Sequence, residues 1–172
     1  MNELQEKIFN VIKAIVQIDN FPAYYEDHAI RYGLLNYVAK YSLAKDKYLI
    51  TRKAIDHLTK NNFLSDGRLR KGLKNRKNGF TYEHPVPSNI ISTKIVEHRS
   101  DEAMLVKILE WTDKITVLTT EENTILTERG LTKDMPMNWR FFQDSQFARY
   151  NSSGVCNEQD LIELPVYGQL KR

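Results

Sequence analysis

The segment Ile115 to Gly130 carries the firmest local grammar in the chain. Ile115-Thr116-Val117-Leu118 is a short β-branched run that reads as a strand. Thr119, followed three residues later by Glu122, forms a capping box. That box opens the helix TEENTILTER, which Gly130 closes. A strand that passes directly into a capped helix demands a mixed fold, and it places Asn123 in the helix's first turn.

Upstream, the spacing predicts three helices. Ile8, Val11, Ile12, Ile15 and Val16 share one face, giving a helix from about Glu3 to Ile18 that Asp19-Asn20 and Pro22 end. A second spans about Tyr24 to Ser42, with Ile30, Leu34, Leu35 and Val38 inward and Gly33 weakening it. Its tyrosines suit a core edge that keeps hydroxyls wet, and base stacking is the alternative. Thr51 caps a third helix through Phe63, with Ala54, Ile55 and Leu58 inward. The set matches the outline of a helix-turn-helix unit, an outline that plain bundles share. His57 and His98 read as surface or boundary residues.

The next segment concentrates charge. Net charge is only +3 over 172 residues, but Arg52 to Lys77 holds nine Lys or Arg against Asp56 and Asp66, leaving the remainder acidic. Within it, Arg68, Arg70, Lys71, Lys74, Arg76 and Lys77 are uninterrupted by any acid. Arginine forks suit phosphate oxygens, so these six are the candidate nucleic-acid contacts. Leu69 and Leu73 allow a short amphipathic turn, while Gly72, Asn75, Asn78 and Gly79 favour a loop.

Phe80-Thr81-Tyr82 then reads as a strand leading into Glu83-His84-Pro85-Val86-Pro87. Proline donates nothing to a ladder, so the strand stops near His84 and holds it against a rigid turn. Ser88 and Ser100 are expected to cap two further helices, the second with Leu105, Ile108 and Leu109 inward. Beyond Gly130 the chain is irregular and aromatic (Trp139, Phe141, Phe142, Phe147, Tyr150), with an extended segment near Leu161 to Tyr167.

At this point the chain resembles the HNH (ββα-metal) nucleases, over about residues 82–128. That family ends one strand in an acid–histidine pair, often before proline, and completes its site from a second strand and a helix. The resemblance implies that His84 is the general base for attack on a phosphodiester. It implies that Glu83 and Asn123 hold a divalent cation, Mg²⁺ or Mn²⁺. Histidine moves a proton near neutral pH, and a hard cation takes carboxylate and amide oxygens. The middle asparagine of the family has no counterpart, since Asp113 and Lys114 stand there. About thirty residues separate His84 from the second strand, and the family's cysteine pairs are missing. The implied fold is α+β and mostly helical: a helical subdomain over 1–67, a basic connector over 68–79, and a ββα-like unit with inserted helices and an aromatic tail over 80–172.

The function expected is thus a metal-dependent endonuclease acting on nucleic acid, DNA ahead of RNA, with a homodimer as a further partner. The alternatives are a nucleic-acid-binding protein without catalysis, or a protein-interaction or inhibitor module using the aromatic tail. Glycine-rich phosphate loops, GxSxG and HExxH are absent from the sequence. Cys156 alone builds neither a disulfide framework nor a thiolate zinc site, and in its polar loop it is a poor nucleophile. A reduced, cytoplasmic setting without membrane contact is expected, since MNELQEKIFN does not read as a signal peptide and no apolar run reaches about 18 residues.

Overall fold

The computed structural model describes residues 1–21, 25, 28–71, 73 and 76–168, with backbone alone at 28 and 76. It is a mixed α+β fold, mostly helical, in two compact units. No helix among the described residues is long and apolar enough to cross a membrane.

The first unit comprises residues 1–45 and 88–113 and is helical. Its elements are α1 (Glu3–Val16), α2 (His28–Leu43), α4 (Ser88–Glu97) and α5 (Glu102–Trp111). Asn2 and Gln5 form a reciprocal capping box at the start of α1. Asn2 Nδ2 also donates to the Ala44 carbonyl at 3.1 Å, and Gln5 Nε2 to that of Tyr41 at 3.3 Å, which fixes the N-terminus of α1 to the end of α2. α1 packs on α2, α2 on α4, and α4 on α5. Ile8, Phe9, Ile12 and Val16 supply the buried face of α1; Leu34, Val38, Ile91, Ile95, Leu105 and Ile108 are buried on the others. Lys45 and Asp113 join in an ion pair at 2.5 Å.

The second unit comprises residues 46–87 and 114–172. Its six strands are β1 (Lys47–Ile50), β2 (Leu64–Ser65), β3 (Arg68–Arg70), β4 (Phe80–Glu83), β5 (Thr116–Thr119) and β6 (Ile162–Tyr167), in the order β2-β3-β6-β1-β5-β4. Its helices are α3 (Arg52–Lys60), α6 (Thr120–Glu128) and α7 (Ala148–Ser153). β1 and β5 are parallel neighbours, and each runs straight into a threonine-capped helix. Thr51 caps α3 through Ala54 N at 3.2 Å, and Thr119 caps α6 through Glu122 N at 3.1 Å. The buried Glu122 carboxylate accepts from both Thr119 N and the Thr51 hydroxyl, each at 2.8 Å. One negative group thus serves two helix starts, where the dipoles favour it.

β4 lies antiparallel to β5, with Phe80 opposite Thr119 and Glu83 opposite Thr116. Alternation puts Phe80 and Tyr82 on one face, where their rings meet Phe63 and Tyr48. Leu118 belongs to a core cluster with Leu126, Phe147, Tyr150 and Val155. Gly79, which feeds β4, has φ +77°, and a Cβ there would sit 2.7 Å from Cε1 of His57. His57 Nε2 is itself 2.6 Å from the Asn78 carbonyl oxygen, so the ring has little room to yield. Gly79→Ala is expected to cost more than about 1 kcal/mol, because backbone strain and a steric clash coincide. A urea titration in which the alanine variant matches the parent would refute this.

The structure corrects several expectations. The region read as helical up to residue 67 holds β1, a four-residue strand that gains its stability from distant partners such as Thr116 and Glu163, and the two-residue β2, which pairs with β3. The segment read as a basic connector begins with β3. The two units interleave along the chain and do not follow the division 1–67, 68–79, 80–172. Asp101, not Ser100, caps α5, its carboxylate accepting from Met104 N at 3.0 Å. His57 is a half-buried boundary residue, as expected, with its ring bonded to the Asn78 carbonyl. Tyr24, at the expected start of the second helix, lies outside the described residues.

Candidate functional site

Glu83 ends β4, and His84 begins the turn that Pro85 and Pro87 stiffen. Both are held by Arg149, 66 and 65 positions away, in the first turn of α7 and fully buried. Its Nη2 donates to Glu83 Oε2 at 2.9 Å and to the His84 carbonyl. Nε donates to the Pro85 carbonyl at 2.9 Å. Nη1 donates to the carbonyls of Leu131 at 2.8 Å and Thr132 at 3.2 Å. One guanidinium therefore fastens the acid–histidine turn to the chain leaving α6. Its planar fork is what allows five acceptors at once. The Tyr150 ring lies beneath it, 5.3 Å from the guanidinium carbon.

The His84 imidazole is buried, and its Nε2 has no hydrogen-bond partner among the described residues. Burial, with the Arg149 charge adding to it, pulls its pKa down to about 4. The ring is therefore neutral at neutral pH. A buried nitrogen without a partner is uncommon in folded proteins. The Tyr150 hydroxyl lies against Thr116 and Arg149, and burial raises its pKa.

Asn123 lies in the first turn of α6, and its Oδ1 is buried without a hydrogen-bond partner. The fold thus builds the sequence β4, β5, α6 in antiparallel-strands-then-helix order. The ladder puts Glu83 beside Thr116, whereas α6 starts after Thr119, about 10 Å along the pair. Glu83 already holds the Arg149 cation at 2.9 Å. Among the described residues no three His, Cys, Asp or Glu side chains cluster as a cation cage. As arranged, the donor set does not fit Mg²⁺ or Mn²⁺.

The basic residues separate into distinct environments. Arg68 and Arg70 are exposed on β3, on either side of the fully buried Leu69. Lys71 is buried and pairs with Asp46 at 3.2 Å. Lys77 is exposed. Lys74 lies outside the described residues, as does the side chain of Arg76. Cys156 is half-buried, and burial pushes its thiol up to about 12, so its reactive thiolate is scarce at neutral pH.

Arg149 is the organising residue that sequence reasoning missed. Local pattern shows only a cation in an aromatic tail; its partners stand 17 to 66 residues away. No protein-family model, curated protein or solved structure matches the chain.

Proposed function

We propose that this chain binds nucleic acid, gripping phosphates through the β2–β3 hairpin. The observation that carries the reading is the burial alternation on β3. Leu69 is fully buried, so period-two geometry sends Arg68 and Arg70 together to the solvent face of a hairpin at the end of the sheet. The Arg68 guanidinium lies 5.3 Å from the centre of the Tyr167 ring, a cation–π contact that restrains it. Asp66 stands 3.9 Å from it in an exposed pair, a competitor worth little beside a phosphate. Exposed Arg52, Lys53 and Lys60 on α3 add to the positive character of the same unit.

Fluorescence anisotropy with duplex DNA, single-stranded DNA and RNA, across about 50 to about 200 mM salt, tests this. The parent should bind in a salt-dependent manner. Arg68→Ala/Arg70→Ala should weaken binding to all sequences alike and lower the log–log salt slope by about 2, one for each phosphate that no longer meets a guanidinium. A parent that shows no salt-dependent binding to any of the three overturns the proposal.

The order β4, β5, α6 favours a second reading, hydrolysis of phosphodiesters at Glu83–His84 in the manner of the HNH nucleases. There the neutral His84 ring would take a proton from the attacking water. Arg149 would have to release Glu83 before that carboxylate, with Asn123, could serve a cation. Plasmid nicking with Mg²⁺, Mn²⁺ or EDTA, comparing the parent with His84→Ala, decides it. Cutting that survives the substitution removes His84 as the base, and binding without cutting leaves the first reading alone.

A further inference from the structure

The alternation that turns Arg68 and Arg70 outward continues on the next strand of the sheet. On β6, Leu164 and Val166 are buried, Glu163 and Pro165 are exposed, and Tyr167 is half-buried. β6 lies between β3 and β1. The ladder sets Leu69 opposite Val166 and Arg70 opposite Tyr167, so Tyr167 shares the outward face with both arginines. The contact of the Arg68 guanidinium with the Tyr167 ring agrees with that shared side. Exposed Lys47 of β1 stands opposite Pro165 on the same face. Glu163 is the acid there, and Lys47 already holds it at 2.7 Å, which leaves the arginine half of the face positive.

We propose that this outward face of β3 and β6 takes a single strand of nucleic acid, with one base stacked on Tyr167. The inference rests on the phosphate grip proposed above and names the form of nucleic acid gripped. Unpaired bases stack both on tyrosine rings and on guanidinium planes, and Tyr167 and Arg68 offer the two side by side. Arg70 stands across the ladder from Tyr167, about 4.8 Å away, where it meets the phosphate beside that base. Pro165 is two residues back, about 7 Å along the strand, and gives the next base an apolar floor. A duplex suits this face poorly, because its bases are already paired and stacked on one another. A two-stranded ribbon can enter the major groove, about 12 Å wide, but this hairpin is continued by β6 and β1 into a broader sheet. A flexible strand lies along the sheet and meets ring and charges together.

Fluorescence anisotropy tests this with strands of about 12 nucleotides: single-stranded DNA and RNA, the DNA duplex, and a strand of abasic sites. The full chain should bind the single strands at least about fivefold more tightly than the duplex or the abasic strand. Tyr167→Leu keeps an apolar side chain in the strand and removes the ring. It should weaken single-strand binding by about tenfold and leave duplex and abasic binding within about twofold. Tyr167→Phe keeps the ring and should bind as the parent does. The parent's own preference is read without any variant, so the test stands even where a substitution unfolds the chain. A parent that binds duplex or abasic strand as tightly as single strands overturns the proposal and leaves the phosphate grip standing. So does a folded Tyr167→Leu variant that weakens binding to all the probes alike, or to none. A parent that binds none of the probes overturns the grip itself, and this proposal with it.

Discussion

Arg149→Met is expected to lower the stability of the second unit by about 3–5 kcal/mol, the range for deleting one partner of a buried charge cluster. The substitution keeps much of the volume, so the loss falls on polar groups. The carbonyls of His84, Pro85, Leu131 and Thr132 and the Glu83 carboxylate lose their shared donor together. Each buried acceptor left unpaired costs on the order of 1–3 kcal/mol, and partial wetting of the loop recovers some of it. Arg149→Lys should recover little, because one ammonium cannot span acceptors on two separate segments. Glu83→Gln should cost less than either, since Glu83 is 22% exposed and its amide oxygen still accepts from the guanidinium. Urea titrations check the ranking by a fall in midpoint at constant slope. A methionine variant within about 1 kcal/mol of the parent would mean that other donors serve these carbonyls.

The parts of this fold that sequence reveals are those specified by neighbours in the chain. Thr119 and Glu122 are three residues apart, so their capping box is legible and forms as read. The same holds for Thr51 and for the inward stripe of α5, whereas on α1 Ile8, Ile12 and Val16 are buried as read but Val11, also read as inward, is exposed. What escapes is specified at a distance. β1 is four residues long, KYLI, and is a strand because Thr116–Val117 flanks it on one side and Ile162–Pro165 on the other. The interleaving of the units arises because residues 88–113 return to the helices of 1–45, and nothing within either segment announces that return. The basic run is visible as charge, yet its separation into outward Arg68 and Arg70 and buried Lys71 depends on β3 pairing with β6. Glu83 and His84 are legible as a pair, whereas the cation that holds them comes from α7.

That cation also ties Glu83, His84 and Pro85 of the acid–histidine turn to one side chain. His84 has its carbonyl bound by Arg149 and its ring in a site from which water is largely excluded. The backbone bond fixes where the ring projects. The nearby positive charge ensures that the ring does not acquire its own.

Acidification is therefore expected to unfold the parent earlier than a variant with no titrating group at position 84. In the unfolded chain the imidazole titrates near its ordinary value of about 6.5; in the fold it takes a proton only near pH 4. Between those values the unfolded state binds the proton and the folded state does not. Stability is thus complete above about pH 6.5 and falls as pH drops toward 4, by up to about 1.4 kcal/mol per pH unit and about 3 kcal/mol in all. Arg149 is the charge that acts on the ring, and it remains in a His84→Asn variant, so the difference between parent and variant isolates the imidazole. Urea midpoints at pH 7, 5.5 and 4 should converge toward those of the variant, or cross them, as the proton penalty grows. Parallel pH dependence in the two proteins would show that His84 titrates freely and that its site is wet. The same displacement bears on hydrolysis, if the protein cuts nucleic acid through His84. A ring that stays neutral down to about pH 4 keeps its lone pair there, so cleavage should persist well below the pH at which an ordinary histidine base is lost.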